Sequence, residues 1–160
     1  MKFFEDSNAL ESLRHSDFDA LSAYGEVIDN SIQANAKKIS IQIDCLPRRH
    51  NREQINTLTF GDDGDGMDQT TVHSCLKLGW SSRFNDRSGI GRFGVGMVLG
   101  AIHEVRKVEV YSKKRGSSWL YTYIDLDEIE GHKLDEIPAP TKVELPDKLK
   151  SLTGTDHGTV

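Results

Sequence analysis

Three short stretches hold residue types that could handle a phosphate-bearing ligand. The first is EVIDNS, Glu26 to Ser31. Glu26 and Asn30 are four residues apart, so on a helix they stand one turn apart on one face, with Asp29 beside them. An amide oxygen is a fair ligand for Mg²⁺, which keeps several waters and takes other oxygens from phosphates. A carboxylate one turn away can orient a water and accept its proton as it attacks a γ-phosphate. The same spacing also suits an ordinary solvated helix stripe.

The second stretch is DDGDGM, Asp62 to Met67. A carboxylate at a strand end can accept from an exocyclic amine such as that of adenine. Gly64 and Gly66 would let a flat ring lie close to the backbone. A calcium loop of the EF-hand type needs a Glu further on, whereas Asp68 opens a helix here. A plain tight turn would use the same residues.

The third is SGIGRFGVGM, in which Gly89, Gly91 and Gly94 spell G-x-G-x-x-G. The dinucleotide reading needs a strand immediately before the glycines, and WSSRFNDR makes none. Glu109, twenty residues after Gly89, falls in mid-strand rather than at a ribose. A protein-kinase loop wants valine two residues after the third glycine, where Gly96 stands, and no HRD or DFG follows. A Walker loop is absent from the chain. A glycine-rich loop entering a helix still offers free backbone N–H groups to an anion. A loop that merely packs on a sheet is equally compatible.

The elements that must position these groups follow from periodicity. Asp17 can cap a helix through DFDALSAYGEVIDNSIQANA, with Phe18, Leu21, Gly25, Ile28 and Ile32 as its buried face. KKISIQIDCL alternates, with Ile39, Ile41 and Ile43 on one face of a strand. PRRHNREQ reads as a polar turn and INTLTF as the paired strand. Asp68 can cap a helix through QTTVHSCLKL, and VGMVLGAIHE resumes helical spacing. KVEVYSK and SWLYTYIDL read as strands around the turn KRGS. Residues 127–150, with three prolines, read as irregular with one short helical turn. Helices between strand hairpins imply α+β layering, with helices on one face of a mainly antiparallel sheet.

The whole chain sets bounds. Its 160 residues make about one domain. A net charge of −5 gives it no overall basic footprint for nucleic acid. Pro47–Arg52 and Lys113–Arg115 are local basic runs that suit solvated hairpin tips. No apolar run is long enough for a signal peptide or membrane span, so the expectation is a cytoplasmic protein, or a nuclear one in a eukaryote, with no membrane partner. Cys45 and Cys75 form no metal-ligand pair and read as buried thiols.

In order, E-x-x-D-N on a helix, D-x-G-x-G after a strand and a glycine-rich loop entering a helix resemble the GHKL ATPase superfamily. That group includes gyrase-type topoisomerases, Hsp90-type chaperones, MutL, sensor histidine kinases and the microrchidia (MORC) ATPases. The closing HGTV, His157 to Val160, resembles the start of the last nucleotide-site strand of that family. EVIDNSIQANAKKISI and LTFGDDGDGM look most like the MORC-type ATPases and their prokaryotic relatives. GRFGVGM is also similar to the chaperone branch, and Val98 stands where MORC-type lids often carry lysine.

The resemblance implies a two-layer Bergerat-type sandwich with a mixed, mainly antiparallel sheet. Residues 1–16, polar and mixed, read as an arm or a short helix, and the resemblance implies an ATP-binding domain over 17–160, truncated before its last strand and a transducer domain. Glu26 would be the general base and Asn30 the Mg²⁺ ligand. Asp62 would bind the adenine amine, with Gly64, Gly66 and Met67 beside the ring and Thr159 supporting Asp62 through a water. Residues 79–96 would form the ATP lid, with Arg92, Phe93, Gly94, Val95 and Gly96 on the phosphates and Ser82 and Arg83 aiding closure. The implied activity is Mg-dependent ATP binding and slow hydrolysis. It is coupled to lid closure and a nucleotide-dependent homodimer, acting on DNA or a protein client through further domains. A histidine-kinase-like phosphotransferase module and an ATP sensor without turnover are the alternatives.

Overall fold

The computed structural model describes residues 20–48, 52–77, 98, 101–102 and 105–160. Helix α1 spans Ala20–Gln33, and strands β1 (Ile39–Arg48) and β2 (Arg52–Asp62) form a hairpin. Helix α2 (Gln69–Ser74) follows, then β3 (Lys107–Lys113), β4 (Trp119–Asp125), helix α3 (Leu126–Glu130) and β5 (Thr141–Val143). A 3₁₀ turn over Asp147–Leu152 leads to β6 (Gly158–Thr159). The six strands form one sheet in the order β1-β2-β6-β3-β4-β5, and every described pairing is antiparallel. This is the expected α+β sandwich.

Local chemistry accounts for the element ends. Asp68 caps α2 by accepting the Thr71 N–H at 2.8 Å, and that bond holds its carboxyl below the usual range. Asp125 caps α3 by accepting from the N–H groups of Asp127 and Glu128. The β1–β2 ladder runs regularly from Ile39↔Asp62 to Asp44↔Thr57, then skips Asn56 to pair Cys45 with Ile55.

The main core lies on the helix face of the sheet. Leu76, Val98, Ile102, Val110, Ile124, Leu126 and Ile137 form one buried cluster. Leu145, Leu149 and Leu152 form a second, packed against Tyr111, Trp119 and Val160. Tyr111 alternates with Val110 along β3, so this second cluster covers the reverse face.

Several expectations are corrected. β1 and β2 run through Pro47 and Arg48 and from Arg52, where a polar turn was expected, and the ladder pairs Pro47 with Glu53 and Arg48 with Arg52. The stretch 127–150 holds a strand, β5, and begins a 3₁₀ turn. β5 adds to the free edge of β4, and Pro138, Pro140 and Pro146 all lie outside its ladder. Cys45 is exposed rather than buried.

The largest correction concerns α1. Leu21 is 73% exposed and Ile32 58%, whereas Ala23 and Ser31 are buried. The sheet-facing side holds Ala23, Tyr24 (its ring 5.8 Å from Phe60) and Ser31. On that side Ser31 bonds the Asp62 carboxylate, and just past the helix end Asn35 bonds Asp65. The alternating isoleucines of β1 are likewise more open than their spacing implied, with Ile41 at 52% and Ile43 at 56%. Asp17, Phe18 and the 1–16 arm lie outside the described residues.

Candidate functional site

The site forms where β2 ends beside the C-terminal turn of α1. Asp62, the last residue of β2, is buried among donors. Its Oδ1 accepts the Gly64 N–H at 2.8 Å and its Oδ2 accepts the Ser31 hydroxyl at 2.9 Å. The Thr159 backbone amide lies across from it in the β2–β6 pairing and also favours its charged form. Burial raises its carboxyl above the usual value, and the bonds from Gly64, Ser31 and Thr159 pull the other way without cancelling it. A carboxylate has about four lone-pair positions. Two are taken by the Gly64 and Ser31 bonds, which leaves lone-pair capacity for an outside donor.

The loop after Asp62 is strapped to both sides. Asp63 Oδ1 accepts the backbone N–H groups of Lys37 and Lys38 at 2.7 and 2.8 Å, and these hold its carboxyl low. The Asp65 N–H donates to Ala34 O at 2.8 Å, and Asn35 Nδ2 donates to Asp65 Oδ2 at 2.6 Å. The Asp63 and Asp65 carboxylates thus serve the loop itself, not a calcium ion.

The two loop glycines have a reason that the sequence did not reveal. A Cβ on Gly64 would sit 2.7 Å from Ala34 O. Gly66 has φ +69°, and a Cβ there would run into Lys113 O. Backbone just beyond α1 on one side and from β3 on the other therefore demands glycine before any ligand does. Met67 follows, and its N–H donates to Ser112 Oγ at 2.9 Å.

Thr159 lies opposite Asp62 in the β2–β6 pairing, and its Oγ1 is 2.9 Å from Ser112 Oγ. Ser112 is fully buried and ties Met67, Thr159 and Gly158 together. Thr153 Oγ1 donates to Asp62 O at 2.6 Å. Sequence reading missed Ser31, Ser112 and Thr153. A serine at the sheet-facing end of a helix and another in the apolar run of β3 were the available clues.

Glu26 and Asn30 stand on the same flank of α1, about 6 Å apart along its axis. Glu26 is half-buried and Asn30 exposed. Ser31, next to Asn30, joins this helix directly to Asp62. The structure therefore brings Asp62, Gly64, Gly66, Met67 and Thr159 into one cluster, with Glu26 and Asn30 on the adjoining helix. Arg92, Phe93, Gly94, Val95 and Gly96, with the whole 79–96 lid, lie outside the described residues. Among the described residues no group of three His, Cys, Asp or Glu could hold a metal. A single amide oxygen at Asn30 fits only an ion that brings its other oxygens with it, as Mg²⁺ does with a triphosphate and water.

A profile of the histidine kinase-, DNA gyrase B- and HSP90-like ATPases matches residues 19–159. ATPase morc-1 of Caenorhabditis elegans is 35% identical over 109 residues, 68% of this chain and 12% of that protein. Human ATPase MORC2 is 31% identical over 123 residues, 74% of this chain and 11% of that protein. Protein MICRORCHIDIA 5 of Arabidopsis thaliana is 29% identical over 99 residues, 61% of this chain and 14% of that protein. The matched span is thus a small part of each relative's length.

Proposed function

The chain belongs to the histidine kinase-, DNA gyrase B- and HSP90-like ATPase family and is MORC-like within it, and from that premise we propose that it binds ATP beside Asp62 and hydrolyses it slowly. One observation carries the assignment of the base. The Asp62 carboxylate keeps lone-pair capacity after the Gly64 and Ser31 bonds are counted, and an exocyclic amine fits it. Gly64, Gly66 and Met67 would flank the ring. The strapped loop would need little reorganisation on binding.

Glu26 would orient the attacking water and take its proton. Asn30 would hold Mg²⁺ together with the phosphates, and the ion would neutralise developing phosphate charge. Arg92 to Gly96 would close over the triphosphate through backbone N–H groups. Nucleotide-dependent dimerisation and action on DNA or a protein client belong to the same proposal, as does the division into an arm and one ATP-binding domain over 17–160. The relatives extend far beyond the matched span, where such partners could be engaged. No helix among the described residues is long and apolar enough to cross a membrane.

Calorimetry with Mg-ATP and Mg-GTP tests the binding site. Preferential binding of ATP is expected, and equal or absent binding of both would overturn the reading. The fate of labelled γ-phosphate tests the chemistry. Free phosphate that disappears in Glu26→Gln supports hydrolysis, whereas a phosphoprotein would favour the phosphotransferase reading.

A further inference from the structure

We propose that His157, backed by Arg115, is a positioning residue for base recognition. It clamps the Gly64–Asp65 peptide from the side opposite α1. The proposal rests on the reading that Asp62 receives the base.

The geometry of one peptide unit carries it. Its N–H end, on Asp65, donates to Ala34 O at 2.8 Å. Its C=O end, on Gly64, meets His157 Nδ1 at 2.6 Å. Gly64 O can only accept, so Nδ1 must carry the proton. Nε2 is then free to accept, and it lies 2.7 Å from Arg115 Nη2, which can only donate. The two partners thus fix which ring nitrogen of His157 donates and which accepts. Arg115 is in turn paired with Asp156 at 3.7 Å.

The clamp matters because of where it grips. Gly64 supplies the N–H that holds Asp62 Oδ1, and it lacks a side chain to restrict its own backbone. Only its two neighbouring peptides set where that N–H points. His157 also directly precedes β6, so the same residue ties the base loop to the strand that brings Thr159 to Asp62. A nucleotide site that separates bases by one amine needs that carboxylate held still.

The test compares His157→Leu, which fills the space without a donor, with His157→Asn, whose amide N–H can replace Nδ1–H. Affinities are measured for ATP and for purine riboside triphosphate, which lacks the 6-amino group. Amide exchange of Gly64 and Asp65 is followed in the nucleotide-free chain. His157→Leu is expected to cut the preference for ATP about fivefold, the effect of losing one hydrogen bond, and to speed exchange at both amides. His157→Asn should hold both near wild type, and Arg115→Ala should lie between them. Unchanged preference and exchange in His157→Leu would overturn the clamp, as would equal losses in the leucine and asparagine variants. Asp62→Asn separates the two readings. If it keeps the preference for ATP, the base assignment fails, while the exchange rates still judge the clamp.

Discussion

Replacing Asp62 with asparagine should separate binding from stability. The carboxyl is buried at the end of β2 and is raised above its ordinary value of 3.8, chiefly by that burial. Between 3.8 and its folded value, the native state keeps a proton that the unfolded chain has released. Stability therefore falls as pH rises through that window and is flat above it. At neutral pH the charge is a net cost to the fold. Asparagine removes the charge and can keep the internal bonds. Its carbonyl accepts from Gly64, while Ser31, which already contacts Val27 O at 3.2 Å, can turn its hydroxyl there and accept from the new amide.

The nucleotide loses instead. The amide N–H₂ of asparagine would meet the adenine amine, donor against donor. A hydrogen bond to a charged group is worth about 1.5–3 kcal/mol, so ATP affinity should fall roughly 10- to 150-fold. Inosine triphosphate, with an acceptor at that position, should lose less or gain. Calorimetry with both nucleotides and urea titrations at pH 4 and pH 7.5 check the two halves. A variant that is clearly less stable at pH 7.5, or that binds ATP as well as wild type, would refute the reasoning.

Gly66→Ala should cost at least about 1–2 kcal/mol in denaturant unfolding, since it combines positive φ with a collision at Lys113 O. Ser112→Ala should cost about 1–3 kcal/mol by leaving the Met67 N–H without its partner and should weaken ATP binding in parallel, as read by thermal unfolding with and without nucleotide. Cys45 should react with a thiol reagent in the native state, whereas Cys75, whose thiol burial pushes up to about 12, should react only after unfolding, a difference that mass spectrometry can follow.

The order of the motifs was legible in the residues. Alternation located β1 to β4, Asp68 declared its cap, and D-x-G-x-G after a strand pointed to the base site. These are local matters of a few neighbouring residues, and local preferences decide them. Three things depended on tertiary structure. The rotation of α1 put Ala23 and Ser31 inward and left Leu21 and Ile32 outside, with Ser31 meeting Asp62 from a distant strand end. β6, only two residues long, gained its place between β2 and β3 from partners more than forty residues away in the chain. Ser112, Thr153 and His157 acquired meaning only when the sheet brought them to the DGDG loop, since no spacing along the chain encodes a hydrogen bond across forty-five or ninety-three positions. The sequence by itself therefore determined which groups could do the chemistry, and the tertiary fold decided which polar contacts hold them in place.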